Sequence, residues 1–206
     1  MLQRLRRRWW RRRLKDPAYA FLAEPDPDGE LVSIDCETTS LNVKQADLLA
    51  IAAIRIRGTR ILTRERLEVV VRPDRIAGAQ GVLIHQLRPV DVARGLPTNE
   101  AIDRFLRFIG GRPLVGYYLE FDVAMLNKYV RPRLGVALPN RQIEISTLYY
   151  EAKQERLPPG SNIDLRFSTI REDLNLPELA EHDAFNDAMM TAMMYLRLTG
   201  PRAGLG

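Results

Sequence analysis

A single cysteine, Cys36, among 206 residues leaves no basis for a disulfide scaffold or a multi-cysteine zinc or iron–sulfur centre. That thiol is expected to be reduced, in a cytoplasmic protein. The chain has no run of about 18 apolar residues, so no membrane-spanning helix is expected. Its basic start is not followed by the apolar stretch of a signal peptide, because Lys15, Asp16 and Pro17 come directly after Leu14. There is no internal repeat.

Charge is present but unevenly placed. The chain carries 31 Lys+Arg against 26 Asp+Glu, a formal +5, and is 46% hydrophobic, which suits a packed core and excludes general disorder. Seven arginines and Lys15 fall within residues 1–15 without an acid, so the remainder has 23 bases against 26 acids, a balance of −3. This is a mildly acidic body with a basic arm, not a uniformly basic binder. Residues 1–15 are expected as the arm, 16–29 as a turn-rich linker, 30–200 as one folded domain and 201–206 as a short tail. Leu2, Leu5 and Trp9 could form a narrow apolar stripe on a helical arm. Three readings of the arm stay open: contact with nucleic-acid phosphates, with Trp9 or Trp10 stacking on bases; contact with an anionic membrane surface; or a solvated tail.

Apolar patterning predicts strands at 31–34, 48–57, 61–71 and 113–117. It predicts helices at 97–109, 121–130, 167–176 and 183–198, with a strand and turn over 140–150. In the last helix Phe185, Ala188, Met189, Ala192, Met193 and Leu196 make a continuous apolar stripe. The order implies an α/β fold with a mixed sheet flanked by helices.

Four acidic residues stand where strands end or helices begin. Asp35 and Glu37 follow the first strand, and their spacing of two puts both side chains on one face with Cys36 on the other. Asp122 opens a helix, and Asp187 lies one turn into the last one. Taken singly, Asp122 reads as a cap or surface residue, Asp187 as a solvated helix residue and Asp183 as an N-cap. Taken jointly, a charged pair directly after an apolar strand is costly unless it binds something. Oxygen-only ligands suit Mg²⁺ or Mn²⁺. Four carboxylates can hold two such ions about 3.5–4 Å apart, the arrangement used for phosphoryl displacement. A nearby histidine can take the proton of the attacking water.

These residues resemble the motifs of the DEDDh (DnaQ-like) 3′–5′ exonucleases, including the catalytic part of bacterial DNA polymerase III epsilon subunits. The first motif appears as Asp35-Cys36-Glu37-Thr38-Thr39-Ser40-Leu41, the second as Phe121-Asp122, and the third as His182 through Asp187. Their order matches, over roughly residues 30–198. The resemblance implies a ribonuclease H-like fold and a two-metal hydrolysis of single-stranded nucleic acid from the 3′ end, with DNA favoured and nucleoside monophosphates released. It implies that Asp35, Glu37, Asp122 and Asp187 carry two divalent ions, Mg²⁺ or Mn²⁺, and that His182 is the general base. Thr38 and Leu41 match positions touching the terminal sugar and base. His85 matches one beside the terminal nucleotide, although a loop histidine bonded to backbone explains it equally well. Three departures bear on substrate preference: Ser40 replaces a glycine, Tyr117-Tyr118 replaces His-Asn, and Ser146 replaces an aspartate. The tyrosines read either as base-stacking groups or as the half-buried end of a strand. RNA trimming, a catalytically weak nucleic-acid-binding module and a membrane-associated accessory protein are the alternatives. The short stretch after the last helix suggests a stand-alone or repair enzyme over a replisome proofreader.

Overall fold

The strands lie where apolar residues can be buried on both faces, which only a sheet covered by helices on two sides allows. The structure, a computed structural model, describes residues 2–26, 28–73, 87–158, 160–180 and 183–200. Its elements are α1 (Leu2–Arg13), a 3-10 helix (Pro17–Ala23), β1 (Leu31–Thr38), β2 (Leu48–Arg57), β3 (Arg60–Arg72), α2 (Pro89–Ala93), β4 (Leu96–Pro97), α3 (Thr98–Ile109), β5 (Leu114–Gly116), α4 (Leu119–Leu134), β6 (Gln142–Glu144), α5 (Ile145–Gln154), α6 (Phe167–Asp173) and α7 (Ala184–Thr199). The six-stranded sheet has the order β4-β3-β2-β1-β5-β6. β1, β2 and β3 pair antiparallel, while β5 joins β1 and β6 joins β5 in parallel, so the sheet is mixed as the patterning implies.

One face of the sheet carries Val32, Ile34 and Cys36 of β1 with Leu48, Ile51 and Ala53 of β2, packed against α3 and α4. On the other face, Val115 and Ile143 meet α5, α6 and α7. Among the described residues no helix is long and apolar enough to cross a membrane.

Several elements differ from the patterning. β1 runs to Thr38 instead of stopping at 34, because Asp35, Cys36 and Glu37 continue to pair with Ala52, Ile51 and Ala50 of β2. α4 starts two residues early and passes Pro132, ending where Gly135 takes the left-handed conformation at φ 76 and donates its N–H to Arg131 O. A proline removes only one donor, which the last helical turn tolerates. The turn expected near 150 is α5, which buries Ile145 and Tyr149 four residues apart. In α7 the fully buried methionines are Met190 and Met194, not Met189 and Met193. They fill the space toward β5 and α5, whereas Ala184 and Ala188 lie over β2.

At the N-terminus, Leu5 and Trp9, the described members of the expected stripe, are exposed. Trp10 is buried instead and donates its Nε1–H to Ala137 O at 2.6 Å. Residues 16–29, read as a linker, contain the 3-10 helix, whose Tyr19, Leu22 and Ala23 join the main core. The approach is close: a Cβ on Gly111 would fall 1.6 Å from Glu24 O.

Glu30, fully buried at the entrance to β1, accepts from Arg57 Nε at 2.7 Å and Arg112 Nε at 2.8 Å. Burial pushes its carboxyl upward, but these hydrogen bonds hold it below its ordinary value. Removing one member of a buried ion group strands the others. Glu30→Ala is therefore expected to cost about 3 kcal/mol, read as a lower urea midpoint at unchanged slope. A loss under about 1 kcal/mol would show that Arg112 re-pairs.

Candidate functional site

Asp35 and Glu37 lie on the same face of β1, as the spacing of two requires, and that face looks toward α7. Their partners across the ladder are Ala52 and Ala50. These small residues meet Ala184 and Ala188, so α7 can approach the sheet closely. Ser33, two residues before Asp35, donates its hydroxyl to Ala188 O at 2.8 Å and fixes the helix along the strand. Asp183 caps α7, its side chain accepting from Asn186 N at 2.9 Å, as expected of it. The consequence is that Asp187 arrives over β1. Asp35, Glu37 and Asp187 each offer a carboxylate oxygen, all within 4.8 Å of one another.

Asp122 comes from the opposite layer. It is buried in the first turn of α4, and its Oδ1 accepts the Cys36 N–H at 3.1 Å. It thus holds the peptide between the two β1 carboxylates. Tyr118, the N-cap residue before α4, takes a left-handed conformation at φ 55 and makes no side-chain cap hydrogen bond. The donors at this end are satisfied by Glu144, whose carboxylate accepts from Tyr118 N at 3.1 Å and Leu119 N at 2.8 Å. The same carboxylate accepts from Ser146 N at 3.1 Å and Ser146 Oγ at 2.9 Å. Sequence reasoning missed Glu144. The available signal was an acid at the end of a short strand with a serine two residues on, the pattern of an N-cap.

Electrostatically the site is strained without a cation. Burial pushes the Asp35 carboxyl well above its ordinary range, and Asp122, Asp187, Glu37 and Asp183 push it further. Asp122 is pushed up to about 8, chiefly by burial, against the lowering pull of its bonds to Cys36. Buried carboxylates that resist ionisation side by side, offering oxygen alone, fit a divalent metal: its charge reverses the effect.

The remaining expected positions divide. Thr38 is buried and donates its hydroxyl to Ser40 O at 3.0 Å. Leu41 is 79% exposed. Tyr117 donates its hydroxyl to Leu165 O at 3.0 Å and packs edge-on against Phe167, whereas Tyr118 is exposed and stacks on Phe121 with an interplanar angle of 11°. His85 and His182 lie outside the described residues.

A family model described as exonuclease, RNase T, matches residues 32–195, which takes in Asp35, Glu37, Asp122, Glu144 and Asp187. The chain belongs to the RNase T exonuclease family. Among relatives in this family, the DNA polymerase III subunit epsilon of Aquifex aeolicus is 29% identical over 177 residues, covering 83% of this chain and 81% of that protein. The DNA polymerase III subunit epsilon-like protein of Rhodobacter capsulatus is 30% identical over 168 residues, covering 81% of this chain but 23% of that protein. Among solved structures, cell-death related nuclease 4 superposes with a TM-score of 0.66 at 14% identity, over 84% of this chain and 64% of that one. Exonuclease I of Escherichia coli, in complex with a 5cy-dT13 oligonucleotide, superposes at 0.69 with 16% identity, over 85% of this chain and 41% of that one. The chain thus spans well under half of exonuclease I. These neighbours share the ribonuclease H-like fold that the motifs imply.

The carboxylates and their anchor lead to two predictions. A carboxyl whose pKa is higher folded than unfolded binds more protons when folded, so it supports folding at low pH and loses that support as the pH rises. For Asp122 the window runs from about 4, the unfolded value, to about 8. In EDTA, the melting temperature is expected to fall between pH 5 and 8.5, and the gain on adding Mg²⁺ to be larger at pH 8 than at pH 5. An equal gain at both would argue against a metal at these residues. Glu144→Ala is expected to cost about 1–2 kcal/mol as a lost cap, and to weaken the Mg²⁺-dependent stabilisation by displacing Asp122. An unchanged metal response would leave Glu144 a purely structural residue.

Proposed function

We propose that the protein is a metal-dependent 3′–5′ exonuclease acting on single-stranded nucleic acid, with DNA preferred over RNA, and releasing nucleoside 5′-monophosphates. The observation that carries this reading is the meeting of Asp35, Glu37 and Asp187 within 4.8 Å, inside the stretch matched by the exonuclease family. The complexes of exonuclease I with oligonucleotides support the strand class.

On this reading Asp35, Glu37 and Asp187 would hold one divalent ion, and Asp35 with Asp122 would hold a second. Such ions supply an acidified water and neutralise charge gathering on the phosphate. The chain's own residues do the positioning. β1 and α7 present carboxylates from two facing elements, so the ligand oxygens are set before substrate arrives. Asp122, tied to the Cys36 N–H, keeps the end of β1 in place. His182, five residues before Asp187, takes the proton of the attacking water. The water oxygen joins phosphorus, the bond from phosphorus to the 3′ oxygen breaks, and that oxygen takes a proton from solvent, leaving the strand with a 3′ hydroxyl. Thr38, Leu41 and His85 border the terminal nucleotide. Of these, Leu41 is an exposed apolar surface for its base, while Thr38 shapes the loop through Ser40. Tyr118 adds an exposed ring, backed by Phe121, four residues before Asp122.

The test is a time course on 5′-labelled single-stranded DNA and RNA with Mg²⁺ or Mn²⁺. A ladder shortening from the 3′ end is expected, faster on DNA and absent in EDTA. Asp35→Ala should abolish it, and His182→Ala should slow it by about 100-fold or more. Internal cuts, or full activity in Asp35→Ala, would overturn the assignment.

A further inference from the structure

The basic arm is not absorbed by the catalytic reading. α1 and the body enclose a groove of about 1490 Å³ at the pole of the sheet where β1 starts. Arg7, Arg8, Arg12 and Arg13 of α1 line it, with Arg131 and Arg141 on the opposite wall. Two acids, Asp26 and Glu30, also line it, but both are engaged by Arg112 at 2.8 Å and their side chains are 5% and 0% exposed. None of the six arginines has a carboxylate partner among the described residues. Six arginines lining one concave surface, without a carboxylate partner among the described residues, repel one another and attract a polyanion.

The chemistry of the walls narrows the partner. Seven of the eight bases in residues 1–15 are arginines, whose planar donors match phosphate oxygens two at a time. Trp9 is 53% exposed, with the Arg13 guanidinium 4.2 Å from its ring centre, so an aromatic ring able to stack on a base lies among the arginines. Trp10, buried and bonded to Ala137, stops the helix from rolling. A bilayer is flat and takes up a continuous apolar face. α1 exposes only Leu5 and Trp9 among its described apolar side chains, and its arginines line a hollow. A flexible strand can enter that hollow where a membrane surface cannot.

We propose that this groove is a second binding surface for single-stranded nucleic acid, which holds the body of a strand away from the carboxylates. Leu31 borders the groove and Glu37 belongs to the carboxylate cluster, so the two sites are separated by about 20 Å along β1. The proposal rests on the nucleolytic reading only for the choice of nucleic acid as the polyanion.

The test measures binding apart from cleavage. Anisotropy of a 5′-fluorescein thymidine oligomer of about twenty nucleotides is followed in EDTA, for the full chain and for the triple variant Arg7→Gln, Arg8→Gln, Arg12→Gln. The variant is expected to bind at least tenfold more weakly, with a log–log salt slope smaller by about 0.7 for each phosphate no longer neutralised. Hydrolysis of a trinucleotide with Mg²⁺, too short to reach the groove, is expected to stay at the parent rate. Equal affinity and equal salt slope in parent and variant would overturn the proposal. So would arginine-dependent sedimentation with phosphatidylglycerol vesicles alongside unaffected oligomer binding. If the parent binds the oligomer through these arginines yet cleaves neither the trinucleotide nor the oligomer with Mg²⁺ or Mn²⁺, the groove stands and the nucleolytic reading falls.

Discussion

Like charges brought together out of water repel, and the sheet of this protein is built to bring them together. Two unit charges 4.8 Å apart repel by about 3 kcal/mol at the effective dielectric of a protein site. Asp35, Glu37 and Asp187 share that space, and Asp122 adds to the burden on Asp35. Such a cluster persists only if rigid neighbours hold it or a cation compensates it. The first condition is visible in the fold. β1 is clasped by β2 on one side and β5 on the other, so its carboxylates have little freedom to swing apart.

The helices then act as brackets from two layers. α7 comes close because alanine faces alanine, and one hydroxyl, Ser33, sets its position along the strand. α4 is set from the other layer through Glu144, which gathers donors from the starts of α4 and α5. The left-handed Tyr118 is the local cost of turning directly from β5 into α4. At the far pole a second electrostatic grouping, Glu30 with Arg57 and Arg112, closes the opposite end of β1. One strand therefore carries a buried, ion-paired carboxylate at its start and crowded carboxylates at its finish.

Much of this was legible from residue types and spacing. The same-face relation of Asp35 and Glu37 follows from strand geometry. Their meeting with Asp187 was implied only by the family motif, since no local pattern says which helix lies over which strand. The length of β1 was not legible. Asp35–Thr38 look like a strand's end by composition and stay in the sheet because β2 pairs with them, a nonlocal fact. The sequence offers Trp10 beside Trp9 as a stacking ring, but Trp10 is buried, because its place depends on the nonlocal position of Ala137. α5 was taken for a turn because only Ile145 and Tyr149 mark its buried side. Glu144 gave no apolar signal at all, and its importance comes from where β6 ends.

The bond from the Cys36 amide to Asp122 bears on how an inert form of this protein should be made. Trapping a strand on a silent enzyme requires that the chemistry be removed while the cleft keeps its shape. Substitution at Asp122 would remove a proposed ligand and the clasp on β1 together, so the trap would be loosened as it was set. Asp187 rides on a helix already pinned by Ser33 and capped by Asp183. It can be neutralised without unfastening either, which makes it the better place to disarm the enzyme.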